Sequence, residues 1–359
     1  MQKTLAIILI SIVLSNCKTV KTTSKKQLQL KFLDEYVAPK NIFVEGTLVG
    51  GLSGIDYANG KYYLVCDDAS NPRYYQANIS INNSKIDTVM FTNVVKIKDS
   101  TQYLDLEAIR FDKNSNQVVV TSEGIINLQK DPSFFSVGSN GIINHFYKIP
   151  AALKALSKQK PRNNGTLEGL TISYDKKGYW IAMELPLEAD GPEPKVTETK
   201  SPVRITYIDA KTQRPTKQFA YLLDKIAKKP KGNFAVNGLT DLIEYEKDKF
   251  IVIERSFSSG MGTLGNTVKL FKIDASKATN TLTTNSLKYV NYLAAKKELL
   301  FDFETVRGLL TDNIIDNIEG VSLGPTLKNG NKTLILVADN NFNKLGLQLN
   351  QFVLLEILN

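Results

Sequence analysis

Histidine and cysteine are nearly absent from this 359-residue sequence, which contains one histidine and two cysteines. A Ser-His-Asp hydrolase or a histidine phosphatase needs a histidine in its site, and His145 lies in an ordinary strand-like run, residues 142–147. The G-x-S-x-G match at residues 320–324 leads into a hairpin, whereas a nucleophile elbow needs a strand-to-helix turn. These shortages argue against histidine-based hydrolysis and against zinc held by histidine or cysteine. The sequence also contains no Walker loop, dinucleotide fingerprint or nucleic-acid module.

Long hydrophobic runs are scarce as well, and the one at residues 5–14 is too short to span a bilayer comfortably. Lys3 precedes this run, and the sequence Leu-Ser-Asn-Cys that ends at Cys17 resembles a bacterial lipobox. We therefore predict a lipoprotein signal peptide at residues 1–16, a lipid anchor on Cys17 and a flexible tether at residues 17–27. The expected location is the bacterial cell envelope, at the periplasmic or outer-membrane surface. An ordinary signal peptide with an incidental cysteine is the alternative.

Once Cys17 is acylated, Cys66 has no partner for an intramolecular disulfide and is expected to be a small buried hydrophobe. Stability must then come from a core, which the 42% hydrophobic content can supply for one domain at residues 28–359. The net charge of +9 is spread along the chain and favours anionic substrates, although solvated lysines are the simpler explanation. We predict a monomer that binds no nucleic acid.

One pattern occurs five times along the chain: a turn, a strand, a hairpin and a second strand that ends at an acidic residue. Repetition at a fairly regular period indicates one supersecondary unit that is used several times. The copies lie at residues 51–68, 105–123, 166–184, 238–254 and 317–339. Further Val/Ile/Tyr/Phe runs between the copies bring each unit to four strands, the size of a β-propeller blade.

The fold class that this repeat predicts is all-β, a single β-propeller of five four-stranded blades. A sixth blade remains possible if the third or fourth interval contains a degenerate copy. The last unit is one strand short, and residues 27–37 form a strand-like segment without a hairpin partner. Pairing this N-terminal strand with the last unit would close the propeller and remove two open sheet edges. The best helical stretch, residues 151–159, is expected as an insertion between repeats.

The repeated acids should meet at one mouth of the central channel, because the start of the first strand lies beside the end of the second in an antiparallel hairpin. The residues at the strand starts are Ser53, Glu107, Glu168, Asp241 and Glu319. The residues at or near the strand ends are Asp67, Glu123, Glu184, Glu254 and Asp339. Crowded carboxylates repel one another and need compensation by cations, protons or arginines. The candidate arginines are Arg73, Arg110 and Arg255.

The chemistry of this cluster favours one class of ligand. Hard oxygen donors with almost no histidine or thiolate point to calcium or magnesium and away from zinc. In the alternative interpretation, the acids accept hydrogen bonds from backbone amides of neighbouring blades and fix the geometry of the propeller.

Several short motifs occur in order along the chain. The most specific are Asp-Asn-Ile-Glu-Gly at residues 316–320 and Ala-Asp-Asn-Asn-Phe at residues 338–342. Further motifs lie at residues 51–54 with 67–68, 165–169 with 184–187, and 254–255. Together these motifs resemble the phytase-like domain family, also called the esterase-like activity of phytase family, over residues 44–358. The resemblance implies a secreted or envelope propeller with hydrolytic action on phosphate or carboxylic esters.

The motif positions and the acidic cluster together give the candidate site residues. The candidates for catalysis are Glu107, Glu168, Glu184 and Glu319. The candidates for substrate binding are Arg73, Arg110, Arg255 and Asn340. The candidate ligands of a divalent cation, for which calcium is expected, are Asp67, Asp68, Glu123 and Asp339.

The predicted function is an envelope-anchored hydrolase of an anionic phosphate or carboxylic ester. A divalent cation held by the carboxylates would position the ester and activate a water, with a spare acid as base. The competing hypothesis is a non-catalytic propeller that binds a ligand or a partner protein.

Overall fold

Five four-stranded antiparallel sheets form the protein, and they are arranged around a central axis as the blades of a β-propeller. The computed structural model describes residues 28–98, 101–344 and 346–358. The predicted fold class is confirmed, with five blades, and the long third and fourth intervals form loops and outer strands. The predicted signal peptide and the predicted tether, including Cys17, lie outside the described residues.

Blades 1 to 5 follow one another along the chain, and in blades 1 to 4 the strands follow in order from the innermost to the outermost. Blade 1 contains Leu52–Ala58, Lys61–Cys66, Arg73–Asn82 and Lys85–Lys96. Blade 2 contains Leu106–Asp112, Gln117–Ser122, Ser133–Val137 and Ile143–Phe146. Blade 3 contains Leu167–Ile172, Gly178–Met183, Pro202–Asp209 and Arg214–Leu222. Blade 4 contains Ala235–Glu246, Lys249–Ser258, Asn266–Asp274 and Lys296–Asp302. Blade 5 contains Asn317–Leu323, Thr333–Asp339, Asn350–Leu358 and, as its outer strand, Gln29–Ala38.

The remaining secondary structure is short. A two-stranded ribbon pairs Phe43–Val44 with Thr47–Leu48. The 3-10 helices are Ile126–Leu128, Ala151–Leu153, Gly262–Leu264, Phe303–Leu309, Thr311–Asn313 and Asn341–Asn343. None of the helices formed by the described residues has the length and hydrophobicity of a membrane span.

The prediction of a helix at residues 151–159 is wrong. Only Ala151–Leu153 forms a turn of 3-10 helix, and Lys154 already has an extended backbone with φ −78° and ψ 149°. Leu153 is the one fully buried side chain in this stretch, so there is no apolar stripe to stabilise a helix against the core. Nine residues without such packing are too few to hold a helix by themselves.

The N-terminal strand closes the propeller as predicted. Gln29 pairs with Leu358 and Ala38 pairs with Asn350 in an antiparallel register. Asn350 begins the strand that follows the acidic end of its neighbour, so Ala38 lies near the face where the acids emerge, which we call the mouth face. Gln29 and Leu358 therefore lie at the opposite, rear face, where the chain enters the propeller.

Apolar side chains pack between neighbouring blades. Trp180 of blade 3 contacts Phe219 of the same blade and Phe250 of blade 4, with ring centroids 5.3 and 5.4 Å apart. Inner strands that are buried on both faces read as almost continuous apolar runs, as in residues 250–253. Cys66 is free and fully buried in blade 1, as the sequence predicts.

The innermost strand of every blade contains a β-bulge near its start. The pairing register shifts between Leu52 and Gly54, Leu106 and Ile109, Leu167 and Gly169, Leu239 and Asp241, and Ile318 and Gly320. A bulge inserts an extra residue, bends the strand and re-aims a side chain. The bulge residues are Ser53, Glu107 with Ala108, Glu168, Thr240 and Glu319. Three of the five bulges therefore present a glutamate at the mouth face.

Glycine follows the bulge in blades 1, 3 and 5 and lets the innermost strands approach closely. A Cβ atom on Gly54 would lie 2.7 Å from the carbonyl oxygen of Glu107, and one on Gly320 would lie 2.8 Å from the Cα of Gly54. Real side chains do not tolerate such contacts, so glycine is required at both positions. The innermost strands of blades 1, 2 and 5 are therefore in close contact just beyond their bulges.

Arg110 and Asp241 form a buried ion pair among the innermost strands, with Nη2 2.7 Å from Oδ2. Asp241 also accepts hydrogen bonds from the backbone N–H groups of Leu170, at 3.2 Å, and Val321, at 2.9 Å. Arg110 donates to the carbonyl oxygen of Ile55 at 2.9 Å. One residue from each of the five innermost strands thus takes part in a single hydrogen-bonded group. The structure places Arg110 and Asp241 below the mouth, because Asp241 lies one residue beyond its bulge.

Candidate functional site

The mouth face opens into a cavity of about 900 Å³ whose lining is strongly acidic. The carboxylates in this lining are Asp67, Asp105, Glu107, Glu123, Glu168, Glu184, Glu193, Asp316, Glu319 and Asp339. Among the described lining residues, Arg255 is the one lysine or arginine. Seven of the nine repeated acids therefore converge at one mouth as predicted, and Asp241 and Glu254 do not.

Strand register determines which residues enter the cavity from the second strands. Leu52 pairs with Cys66, and the equivalent residue Leu239 of blade 4 pairs with Glu254. The residue that follows Cys66 at the end of the second strand, and its equivalent in the other blades, points into the cavity. In blades 1, 2, 3 and 5 this residue is Asp67, Glu123, Glu184 and Asp339. In blade 4 the same position is Arg255. We call the acids at these positions, together with Glu107, Glu168 and Glu319, the carboxylate ring.

The prediction that Glu254 joins the mouth is corrected by this register. Its side chain points to the other face of the strand, where it accepts hydrogen bonds from the hydroxyl of Tyr221 and the ammonium of Lys297. The amide of Asn237 donates to the same carboxylate at 2.8 Å. Glu254 therefore belongs to a buried polar network between blades 3 and 4.

Asp105, Glu107 and Glu123 of blade 2 form a group that could hold a metal ion. One carboxylate oxygen from each lies within 4.8 Å of the other two. A calcium ion binds oxygen ligands at 2.3–2.6 Å, so its opposite ligands lie up to about 5 Å apart. The donor chemistry and the spacing of these three residues therefore fit a hard divalent cation.

The electrostatics of this group also favour a bound cation. Burial, followed by the nearby charge of Asp67, raises the pKa of Asp105 to about 6. Burial and then the charge of Glu184 raise the pKa of Glu123 to about 8. Burial and the charges of Glu168 and Glu123 raise the pKa of Glu107 well above its usual range. These carboxylates are costly to ionise together, and a positive ion between them would remove that cost.

Of the four predicted metal ligands, one belongs to this group of three carboxylates. Glu123 belongs to it, while Asp67 and Asp339 line other parts of the same cavity. Asp68 turns away and accepts a hydrogen bond from Arg73 at 2.8 Å. Asp105, the first residue of the second repeat copy, was not among the predicted ligands.

Arg255 faces two of the predicted catalytic acids across the cavity. Its Nη2 lies 3.0 Å from Oε1 of Glu319 and 3.8 Å from Oε1 of Glu184. Burial raises the pKa of Glu184 and of Glu319 to about 7, against the opposing effect of Arg255. Burial and the charge of Glu184 raise the pKa of Glu168 well above its usual range. The four predicted catalytic residues therefore share one cavity, and two of them titrate near neutral pH.

The other predicted substrate-binding residues lie outside the cavity lining. Arg73 is buried and donates to the hydroxyl of Tyr75 at 2.7 Å, as well as to Asp68. The side-chain oxygen of Asn340 accepts from the backbone N–H groups of Gly51 and Phe342, each at 3.0 Å. Asn340 thereby joins the loops of blades 1 and 5 at the edge of the mouth. Only Arg255 of the four predicted residues is placed to contact a ligand in the cavity.

Comparison with known proteins supports the resemblance seen in the motifs. The model of the phytase-like family, described as esterase-like activity of phytase, matches residues 47–342. No curated protein matches the chain.

Several solved structures align with most of this chain at low similarity. An exo-β-1,3-galactanase from Clostridium thermocellum is 9% identical over 90% of this chain and 63% of its own, with a TM-score of 0.48. A luciferin-regenerating enzyme is 12% identical over 86% of this chain and 78% of its own, with a TM-score of 0.38. The Dos1 propeller is 6% identical over 85% of this chain and 68% of its own, with a TM-score of 0.37. These likenesses carry no argument about activity.

Proposed function

Because this chain belongs to the phytase-like family, we propose that it is a hydrolase of anionic esters that works with a divalent cation in the mouth of the propeller. The family and the propeller fold fit a hydrolase in general. The observation that carries the finer proposal is the group of Asp105, Glu107 and Glu123, whose oxygens lie within 4.8 Å of one another. Calcium is the proposed cation, since its ligands are oxygens at this spacing.

The residues of the cavity divide into three roles in this proposal. Asp105, Glu107 and Glu123 would hold the cation, which when bound supplies positive charge for the ester oxygens and lowers the pKa of a coordinated water. Arg255 would bind an anionic oxygen of the ester through its planar guanidinium. Glu184, whose pKa is raised to about 7, is suited to accept a proton from water near neutral pH.

Two glutamine substitutions separate these roles. We expect Glu107→Gln to abolish both the calcium-dependent rise in melting temperature and the turnover of an ester substrate, because it removes a ligand. We expect Glu184→Gln to lower kcat by about 100-fold or more while the calcium response persists, because it removes the base alone. The measurements are thermal melts and initial rates with phenyl phosphate, phytate and short acyl esters, in calcium and in chelator. Glu246→Gln, an exposed substitution at the rear face, is the control and should change neither.

The competing hypothesis predicts a different result in the same assays. Stoichiometric binding of these esters without turnover of any of them would favour a binding propeller over a hydrolase. Turnover that is equal in calcium and in chelator would contradict the role of the cation.

We also propose that Cys17 anchors the protein to a membrane of the bacterial envelope. Gln29 enters the propeller at the rear face, so an anchor that precedes it would attach on the side opposite the mouth. The cavity would then be open to substrates that diffuse in the surrounding compartment. Cys17→Ser should release the protein from the membrane fraction and abolish fatty-acid labelling, and unchanged membrane attachment would contradict the anchor.

A further inference from the structure

The inner hairpin of blade 4 is longer than its counterparts. In blades 1, 2 and 3 the second strand ends at the residue equivalent to Glu254, and the first strand begins at the residue equivalent to Leu239. In blade 4 the first strand begins at Ala235 and the second ends at Ser258. Each strand thus continues for four more residues, which at about 3.3 Å per residue adds roughly 13 Å beyond the carboxylate ring.

This extension presents apolar side chains to the cavity. We call it the blade 4 wall, and the larger apolar side chains that it and its adjoining loops contribute to the lining are Phe234, Val236, Phe257 and Met261. The ring of Phe234 is 59% exposed and its centroid lies 6.2 Å from that of Phe257. Leu347, from the loop of blade 5, is also exposed and lines the same cavity. Exposed apolar side chains beside an acidic cavity are typical of a binding surface.

Arg255 lies at the foot of the blade 4 wall. Arg255 and Phe257 are two residues apart on one strand, so their side chains point to the same face. The Nε atom of Arg255 is buried and has no hydrogen-bond partner among the described residues. Arg255 therefore keeps one unpaired donor for an anionic group, in the cavity that the acids of the ring and the apolar wall both line.

We propose that the blade 4 wall is the subsite for the organic part of the ester, and that the substrate carries an aryl or alkyl group next to its anionic group. The anionic group would lie at Arg255 and at the cation site, and the apolar group would pack against Phe234 and Phe257. This inference rests on the proposed function and makes its substrate class more specific. A substrate that is polar on all sides, such as an inositol polyphosphate, gains nothing from these two rings.

The test uses two phosphonates that are not hydrolysed and differ only in their organic group. In millimolar calcium, phenylphosphonate should bind at least about 10-fold more tightly than methylphosphonate in calorimetry, because burial of the phenyl ring adds apolar contact. Phe234→Ala and Phe257→Ala should each reduce this ratio to about 3-fold or less and leave the affinity for methylphosphonate unchanged. Phe43→Ala, which removes a ring that is 64% exposed and lies outside the lining, should preserve the ratio.

The outcomes distinguish this inference from the proposed function. Equal binding of the two phosphonates by the wild-type protein, or an unchanged ratio in both variants, would overturn the apolar subsite while cation-dependent binding stands. Absence of binding by both compounds, together with absence of calcium-dependent turnover, would overturn the proposed function itself. Phe257 is partly buried, so melting temperatures are measured first, and the exposed Phe234 keeps the test decisive if Phe257→Ala does not fold.

Discussion

Asparagine in place of Asp241 should lower the free energy of unfolding by about 3–5 kcal/mol, the usual cost of removing one partner of a buried ion pair. Arg110 and Asp241 are both buried where the five innermost strands meet. The carboxylate accepts the N–H of Leu170 at one oxygen and the N–H of Val321 at the other. Asparagine has one acceptor oxygen, so its NH2 group would face one of these donors, and the guanidinium would lose its counter-charge.

Urea unfolding followed by circular dichroism measures this loss. Asp87→Asn, an exposed change on the outer strand of blade 1, is the matched control and should stay within about 0.5 kcal/mol of the wild type. The double variant Arg110→Met with Asp241→Leu should be more stable than Asp241→Asn, because no buried charge is left without a partner. A loss below about 1 kcal/mol for Asp241→Asn would contradict the role of this pair in joining the blades.

The number of blades and the closure by the N-terminal strand could be predicted from the sequence because both depend on patterns within single segments. Each repeat copy contains two apolar strands around a turn. One such unit cannot bury its apolar faces alone, so neighbouring units pack against each other, here as the blades of a propeller. The unpaired segment before the first copy matched the strand that blade 5 lacks, and it forms Gln29–Ala38.

The carboxylate ring was predicted one residue out of register in blade 4. Asp241 and Glu254 are the carboxylates nearest to the expected positions, but the strand pairing of Leu239 with Glu254 puts Thr240 and Arg255 there instead. Side chains alternate between faces along a strand, so a shift of one residue moves a side chain to the opposite face. Matching by residue type fails in this blade because neither position is acidic. Register, which depends on hydrogen bonds between strands, is needed to identify Thr240 and Arg255 as the residues at these positions.

The group of Asp105, Glu107 and Glu123 was only partly predicted for a similar reason. Glu107 and Glu123 lie at the repeated positions, whereas Asp105 comes from the turn before the strand, and comparison of the five copies does not single it out. The bulge between Leu106 and Ile109 brings these carboxylates together. Glu193, which also lines the cavity, comes from a loop outside the repeats.

In the absence of divalent cations, the protein should lose stability as the pH rises from about 5 to 8. Burial is the main cause that raises the pKa of Asp105 to about 6, of Glu184 and Glu319 to about 7, and of Glu123 to about 8. In the unfolded chain these groups titrate near pH 4. Between about pH 4 and these raised pKa values, the folded state therefore binds more protons than the unfolded chain. The free energy of unfolding falls as the pH rises through this interval.

The loss of stability between pH 5 and pH 8 should be large. Each unit of pKa shift corresponds to about 1.4 kcal/mol, and the shifts are not additive because the groups interact. We expect the melting temperature in chelator to drop by about 5 °C or more between pH 5 and pH 8. Calcium should reverse the drop at pH 8 and have little effect at pH 5, where protons occupy the carboxylates that would bind it.

Thermal melts at pH 5, 6, 7 and 8, in chelator and in millimolar calcium, test both parts. The double variant Glu107→Gln with Glu123→Gln removes two of the titrating groups, so its melting temperature in chelator should change less with pH and should not respond to calcium. Asp87→Asn, an exposed change on the outer strand of blade 1 and far from the mouth, is the control and should behave as the wild type does. A melting temperature in chelator that stays constant or rises from pH 5 to pH 8 would show that the carboxylates of the mouth are ionised without a cation. Hydrogen bonds within the propeller would then have to stabilise their charges, and a cation at Asp105, Glu107 and Glu123 would have no cost of ionisation to remove.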